Sequence, residues 1–252
     1  MTKSFLNSPS PILTVILQCE DPDTAIARIR NASCLGAEAF GLQVESLDSE
    51  FHNPEVIKRI IDEMKDKPCY ATNYRTKSNS CKSDDELAEG ILTLADCGAT
   101  LCDVMGDLFC KDPEELTMDQ NAIDSQRKLI DALHEKGAEV LISSHLYKFA
   151  PAERVLEIAY EQKKRGADII KIVTAAEDMT QQIENLRILN LLKEQLGAPF
   201  LFLANGKSSI HRRIGEKLGN CMTLCVYEHD VNSTRSQPLL SVMKTLRDKI
   251  DF

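Results

Sequence analysis

The feature that most constrains the fold is a regular alternation of two kinds of segment along the chain. Short apolar runs rich in β-branched residues are each followed by a longer charged stretch in which apolar residues recur with helical period. Eight strands alternating with eight helices predict a parallel (β/α)8 barrel, and 252 residues suit one barrel domain over 1–252. The predicted strands are 11–18, 39–44, 69–74, 100–105, 139–144, 168–174, 199–204 and 221–226, and the predicted helices are 23–35, 54–65, 84–97, 120–136, 151–165, 178–195, 209–218 and 237–249.

Four of the predicted helices end in the same way. Gly36, Gly98, Gly137 and Gly166 each precede an alanine and stand just before a strand. A glycine at this place is the usual left-handed helix cap, so the repeats support regular βα units. An open dinucleotide-binding sheet would instead require a glycine-rich turn after the first strand, and residues 18–22 read Gln-Cys-Glu-Asp-Pro.

Composition excludes several classes of function. The net charge of −9 argues against nucleic-acid binding, which needs a basic face. There is no apolar run of about 18 residues, so no membrane span is expected. The nine cysteines are odd in number and lack metal-site spacing, which is typical of reduced thiols in a cytoplasmic protein.

Lys171 is the most informative single residue, because it lies inside the otherwise apolar run Asp-Ile-Ile-Lys-Ile-Val-Thr. A strand covered on both sides forces such a lysine to point into the barrel or to be paired. If it is neutral it can attack a carbonyl, and if it is paired with a carboxylate it can be structural. His145 ends the preceding strand, at the rim where barrel enzymes keep their catalytic groups, and can move protons beside the amine.

Two arginines and one loop complete the candidate site. Arg75 follows the third strand and Arg212 lies in the helix after the seventh, where guanidinium groups can bind a carboxylate. Ser233 and Gln237 follow the eighth strand and can donate hydrogen bonds over the barrel mouth. A surface ion pair is the alternative for each arginine, and an ordinary loop is the alternative for the Ser233 segment.

Taken together, these residues resemble the type I 3-dehydroquinate dehydratase family over nearly the whole chain. The resemblance is carried by Ser144-His145 with Tyr147, by Lys171 within 166–172, by Arg75, by 210–212 with the glycines that follow, and by the pair Ser233 and Gln237.

The resemblance implies an α/β barrel, commonly dimeric, that needs no metal or dissociable cofactor. It implies that Lys171 forms an imine with the ketone of a small carboxylate-bearing substrate and that His145 moves the protons. It further implies that Arg212 holds the substrate carboxylate, with Arg75, Ser233 and Gln237 completing the pocket.

Three positions depart from the family pattern. Gly41 and Gln43 stand on the second strand where the family has a glutamate and an arginine that bind substrate hydroxyls, although Glu45 follows on the same face. Asn79 stands where the family has a glutamate that orients the histidine, and an asparagine can still hydrogen-bond the imidazole. Gln43 and Asn79 are therefore kept as candidate substrate-binding residues. We therefore keep three alternatives: a divergent dehydroquinate dehydratase, a Schiff-base lyase or aldolase for another keto carboxylate, and a barrel that binds a metabolite without turnover. The longer loop after strand eight adds His229 as a further candidate.

Overall fold

The computed structural model confirms the predicted (β/α)8 barrel and describes residues 3–250; the outermost residues of the predicted 1–252 domain lie outside the described residues. Its strands form one parallel sheet in the order β7-β6-β5-β4-β3-β2-β1-β8. The strands are β1 (Ile12–Leu17), β2 (Ala39–Gln43), β3 (Cys69–Thr72), β4 (Leu101–Met105), β5 (Glu139–His145), β6 (Ile169–Ala176), β7 (Phe200–Gly206) and β8 (Met222–Cys225). The main helices are α1 (Pro22–Cys34), α2 (Pro54–Glu63), α3 (Asp84–Asp96), α4 (Gln120–Glu135), α5 (Ala152–Arg165), α6 (Met179–Gln195), α7 (Ser209–Ile214) and α8 (Leu240–Lys249).

The helices begin and end where local chemistry dictates. Asp21 caps α1 by accepting a hydrogen bond from the backbone N–H of Thr24, and Ser83 forms a reciprocal capping box with Glu86 at the start of α3. The four predicted cap glycines all have positive φ, from 79° to 106°. The sequence-based expectation of repeated βα units is therefore confirmed at the helix ends.

Side chains alternate between two apolar layers along each strand. Outward-facing residues such as Val15 and Phe40 pack under the helices. Inward-facing residues such as Ile16, Leu141 and Leu201 fill the barrel itself. Phe5, from the segment before β1, joins this inner cluster, and its N–H donates to Glu139 at the start of β5. The N-terminal end of the barrel is thus filled with apolar side chains, and the polar inward positions lie toward the other end.

The barrel closes between β7 and β8 with the help of one side chain. The backbone N–H of Cys221 donates to the carbonyl of Phe200 at 2.9 Å. One step further along β7, the buried carboxamide of Asn220 accepts from the N–H of Phe202 at 2.8 Å and donates to its carbonyl at 3.0 Å. The amide group of Asn220 therefore replaces a strand residue at the seam.

No helix within residues 3–250 is both long enough and apolar enough to cross a bilayer. All nine cysteines are free thiols. The division of the chain into a single domain stays a prediction.

Asn220→Ala should lower the free energy of unfolding by about 2–4 kcal/mol, because it leaves two buried backbone groups of Phe202 unpaired. Urea denaturation measures this. Asn190→Ala, which removes an exposed amide bonded only to Glu194 one turn away in α6, should cost less than about 0.5 kcal/mol. Equal losses in the two variants would show that Asn220 does not hold the seam.

Glu45→Gln should stabilise the protein at alkaline pH. Burial raises the pKa of Glu45 to about 7. Between the unfolded value near 4.5 and this pKa, the folded state keeps a proton that the unfolded state has lost, so stability falls as pH rises through that window. Above a pH of about 7, folded wild-type protein contains the ionised carboxylate of Glu45 in a buried position, which is unfavourable. The glutamine variant should gain about 2–3 kcal/mol over wild type at pH 8 and almost nothing at pH 4. Glu89→Gln, on the exposed face of α3, is the control. If the stability of Glu45→Gln depended on pH in the same way as that of wild type, the prediction would be contradicted.

Candidate active site

Lys171 points into the barrel from β6, and its ammonium group is fully engaged. Its Nζ donates to the hydroxyl of Tyr70 at 2.8 Å, to the hydroxyl of Tyr74 at 2.6 Å and to Oδ2 of Asp103 at 3.0 Å. The residue is only 4% exposed. The lysine was expected to point into the barrel or to be paired, and it does both, because a carboxylate and two phenols satisfy all three of its N–H donors.

Asp103 on β4 is the centre of this cluster. Its Oδ2 also accepts from both phenols, at 2.5 Å from Tyr70, and its Oδ1 accepts from the hydroxyl of Ser143 at 2.6 Å. Burial, reinforced by the charge of Asp103, raises the pKa of Tyr70 and of Tyr74 well above 10. Both phenols therefore remain protonated and act as donors to the carboxylate.

Gly41 makes room for this arrangement. It pairs with Tyr70 across β2 and β3. A Cβ at position 41 would lie 2.4 Å from Cδ1 of Ile16 and 3.0 Å from Cδ1 of Tyr70. The space that a larger inward side chain would take on β2 is thus occupied by these two neighbours. Gln43, two residues on, is half-buried at the end of the strand.

His145 lies at the end of β5, two residues beyond Ser143, which is in register with Lys171. Its Nδ1 is 2.6 Å from Oε2 of Glu115, and its backbone N–H donates to the same oxygen at 3.1 Å. Because an ionised carboxylate only accepts, the imidazole carries its proton on Nδ1. Its Nε2 has no hydrogen-bond partner among residues 3–250 and keeps a lone pair, as a general base requires.

Glu115 bonds His145 and is therefore a candidate functional residue, one that the sequence did not reveal. It lies in the loop between β4 and α4 with a φ of 50°, and the hydroxyl of Ser144 donates to its carbonyl at 2.7 Å. The buried guanidinium of Arg165 holds both ends of this loop by donating to the carbonyls of Gly106 and Thr117. No motif marks such a loop, since its path depends on an arginine at the end of α5.

Asn79 is not a partner of His145 but lies in the segment between β3 and α3. Its Nδ2 donates to Oδ1 of Asn73 at 2.7 Å, and Asn73 in turn donates to the carbonyl of Leu87. This buried amide pair ties the segment after β3 to α3. Within the described part of the chain, no hydrogen bond joins Asn79 to His145, so a glutamate at position 79 is not expected to replace the partner that Glu115 supplies.

The two candidate arginines differ in their counter-charges. Arg75 is neutralised twice, at 2.6 Å from Asp84 and at 2.6 Å from Asp107. Arg212 is buried, and its guanidinium donates only to neutral oxygens, the carbonyl of Ala204 at 2.9 Å and Oδ1 of Asn205 at 2.6 Å. No carboxylate of residues 3–250 lies within ion-pair distance of Arg212. Burial lowers its pKa to about 10, which leaves a buried cation without a counter-ion.

The loop after β8 covers the mouth and is pinned there. Thr234 exchanges two hydrogen bonds with Gln18 at the end of β1. The hydroxyl of Ser233 is engaged with the backbone of Asp230 in the loop's own turn. Gln237 is buried, and its Oε1 has no partner in the described range 3–250. His229 is exposed on the outside of this loop.

A cavity of about 350 Å³ opens beside His145. Tyr74 lines it, whereas Lys171 lies behind Tyr74 and does not. A larger cavity of about 500 Å³ lies at the opposite end of the barrel, away from these residues. The remaining walls of the cavity at His145 come from Arg75, Thr76, Met105, Asp107, Lys111, Asp112, Pro113, Glu115 and Tyr147.

Solved structures share this architecture. A 3-dehydroquinate dehydratase from Geobacillus kaustophilus superposes with a TM-score of 0.83 at 14% identity, covering 98% of this chain and 95% of that one. A type I 3-dehydroquinate dehydratase from Clostridium difficile superposes with a TM-score of 0.79 at 18% identity, covering 96% and 95%. At such identities the likeness establishes the fold.

Comparison of sequences identifies the family more specifically than the shared fold does. 3-Dehydroquinate dehydratases of Alkaliphilus oremlandii and Syntrophotalea carbinolica are 36% and 29% identical to this chain over 112 residues. Each of these alignments spans 43% of this chain and 43% of the relative. The sequence model of the type I 3-dehydroquinases matches residues 13–248. The chain therefore belongs to the type I 3-dehydroquinase family.

Proposed function

We propose that this protein is a hydro-lyase that converts 3-dehydroquinate to 3-dehydroshikimate and water through an imine at Lys171. The observation that carries the proposal is a buried lysine whose ammonium is held by Asp103 and two phenols, beside a histidine whose Nε2 is unoccupied within residues 3–250. Family membership supports the reaction class.

The geometry supports a division of roles around the imine. Lys171 attacks the ketone, and the resulting iminium withdraws electrons from the adjacent carbon. Asp103, at 3.0 Å from Nζ, stabilises the positive nitrogen once the iminium forms. His145 removes the proton from the acidified carbon through Nε2, and the imidazolium is stabilised by Glu115. It then returns that proton to the β-hydroxyl group as this leaves.

The substrate carboxylate is assigned to Arg212. A buried guanidinium that faces only neutral oxygens gains far more from an incoming anion than one already bound by two carboxylates. Arg75 is the second kind, so its role in the pocket is to tie the start of α3 at Asp84 to the loop that carries Asp107. We assign Gln237 to accept a hydrogen bond from a substrate hydroxyl, and its buried Oε1, which has no partner within residues 3–250, supports this assignment.

A second function is favoured by one observation. The place of the family's hydroxyl-binding glutamate is taken by Gly41 and filled by Ile16 and Tyr70, which offer no charged group at that position. A Schiff-base lyase or aldolase acting on a keto carboxylate without those hydroxyls fits this change. Occurrence in the cytoplasm, expected from the cysteines, and assembly as a homodimer, expected from the family resemblance, stay predictions.

Borohydride trapping tests the imine. Wild-type protein mixed with 3-dehydroquinate and borohydride should gain the mass of the reduced substrate, and enone absorbance should rise when borohydride is absent. Lys171→Met should abolish the adduct, whereas Lys148→Ala, which removes an exposed lysine paired with Glu114, should retain it. An adduct with other keto carboxylates but not with dehydroquinate would favour the second function. Binding of dehydroquinate, seen as thermal stabilisation, without any adduct or turnover would leave only a binding protein.

Glu115→Gln tests the histidine partner. The amide can still accept from Nδ1, but it cannot stabilise the imidazolium by charge, so kcat should fall on the order of 10²-fold. Glu114→Gln is a matched control, because the neighbouring carboxylate pairs with Lys148 and Arg154 on the outside of the loop. The control should remain within about twofold of wild type. An unchanged kcat in Glu115→Gln would refute the role of Glu115.

A further inference from the structure

Tyr74 is the side chain that connects the buried lysine with the open cavity. Its hydroxyl lies 2.6 Å from Nζ of Lys171 and also donates to Asp103. The same residue lines the cavity beside His145, and its ring meets the imidazole edge-on with centroids 5.5 Å apart. Lys171, Asp103, Tyr70 and Ser143 are not part of the wall of this cavity, so a ketone that approaches Lys171 from it passes Tyr74 first.

We infer that Tyr74 is the acid–base catalyst of imine formation, passing protons between Asp103 and the oxygen of the ketone that Lys171 attacks. This inference rests on the Schiff-base function proposed above and adds a catalytic residue to it. The site then has two proton-handling pairs, Tyr74 with Asp103 for the nitrogen chemistry and His145 with Glu115 for the carbon chemistry.

The proton balance of the step fits the contacts. The ammonium first gives one proton to the carboxylate of Asp103, and the neutral amine bonds to the carbonyl carbon while the π electrons move to oxygen. The phenol of Tyr74 protonates that oxygen and is itself reprotonated by Asp103. The nitrogen then gives a second proton to Asp103, which returns through Tyr74 to the departing hydroxyl as the C–O bond breaks.

The ammonium thus loses two of its protons, which leave with the ketone oxygen as water. The third stays on the iminium nitrogen, and Asp103 ends as the carboxylate beside it. No oxidant or further reactant is needed. Burial raises the pKa of Tyr74 well above 10, so the phenol still carries its proton when the ketone arrives.

The contacts of His145 do not suit it to transfer protons between Lys171 and the ketone oxygen. Its Nδ1 is bound to Glu115, and no hydrogen bond links its ring to Lys171 in the described portion of the chain. The phenol of Tyr74 occupies the position next to Nζ instead.

Tyr70 offers an internal control. Its hydroxyl makes the same two contacts as that of Tyr74, with Nζ at 2.8 Å and with Asp103 at 2.5 Å. However, it is 1% exposed and is not part of the cavity wall, so it holds the lysine without reaching a ketone. A purely structural role for the phenols predicts similar effects at both positions, whereas a catalytic role predicts a large effect at position 74 alone.

The test measures imine formation directly. Protein is mixed with 3-dehydroquinate, quenched with borohydride after milliseconds to seconds, and the adduct is followed by intact mass. Tyr74→Phe should slow adduct formation by about 10²-fold or more, and Tyr70→Phe by less than about 10-fold. 3,5-Difluorotyrosine is more acidic than tyrosine at nearly the same size. At position 74 it should change the rate of adduct formation at least about threefold, because the rate of a general-acid step depends on the acidity of the donor. The same replacement at Tyr70 should change that rate less than about twofold.

Three results would overturn the inference. Equal slowing in the two phenylalanine variants would assign the phenols a structural role only. An unchanged rate in Tyr74→Phe would exclude the relay. Absence of any Lys171-dependent adduct in the wild type would refute the proposed function itself, and the inference with it. The first two results leave the imine mechanism standing, so the failures are distinguishable.

Discussion

The structure depends on how one buried ammonium group is stabilised. A lysine inside a parallel barrel would cost several kcal/mol if it had no counter-charge. Asp103 supplies that charge, and hydrogen bonds from Tyr70, Tyr74 and Ser143 complete the shell of the carboxylate. Because every donor and acceptor in the cluster is used, each member fixes the positions of the others. The cluster thus sets which residues the neighbouring strands can carry.

The changes on β2 follow from this constraint. The ring of Tyr70 packs against position 41 of the neighbouring strand, and it fits there because Gly41 has no side chain. A charged side chain at position 41 would collide with the ring of Tyr70 and would place a second charge near the ion pair. Gly41 on β2 and Tyr70 on β3 therefore fit each other across the strand pair, and the polar groups that surround Lys171 come from β3, β4 and β5.

The fold was predictable because its signals are local. Hydrophobic period, helix caps and glycines such as Gly98 act within a few residues of one another, and they predicted the element order and most bounds to within two residues. The exceptions are α7, which ends at Ile214 and not at 218, and α8, which begins at Leu240 and not at 237. Lys171 and His145 were recognisable because a charged residue in an apolar strand stands out. Glu115 was not, since its position depends on contacts with Arg165, which lies far along the chain. The counter-charges that distinguish Arg75 from Arg212 are Asp84 at the start of α3 and Asp107 in the loop after β4, and no local pattern pairs them with Arg75.

The carboxylate that bonds His145 comes from the loop after β4, and this determines which parts of the fold hold the site in place. A partner on the segment after β3 would be anchored by the barrel itself, whereas Glu115 belongs to a loop that α4 and α5 hold through Gln126 and Arg165. The side chain of Arg165 is completely buried and bonds carbonyls at both ends of this loop. The position of Glu115 is thereby linked to packing between two outer helices. The barrel strands fix the position of Lys171, and the helical layer fixes the position of the carboxylate that bonds His145.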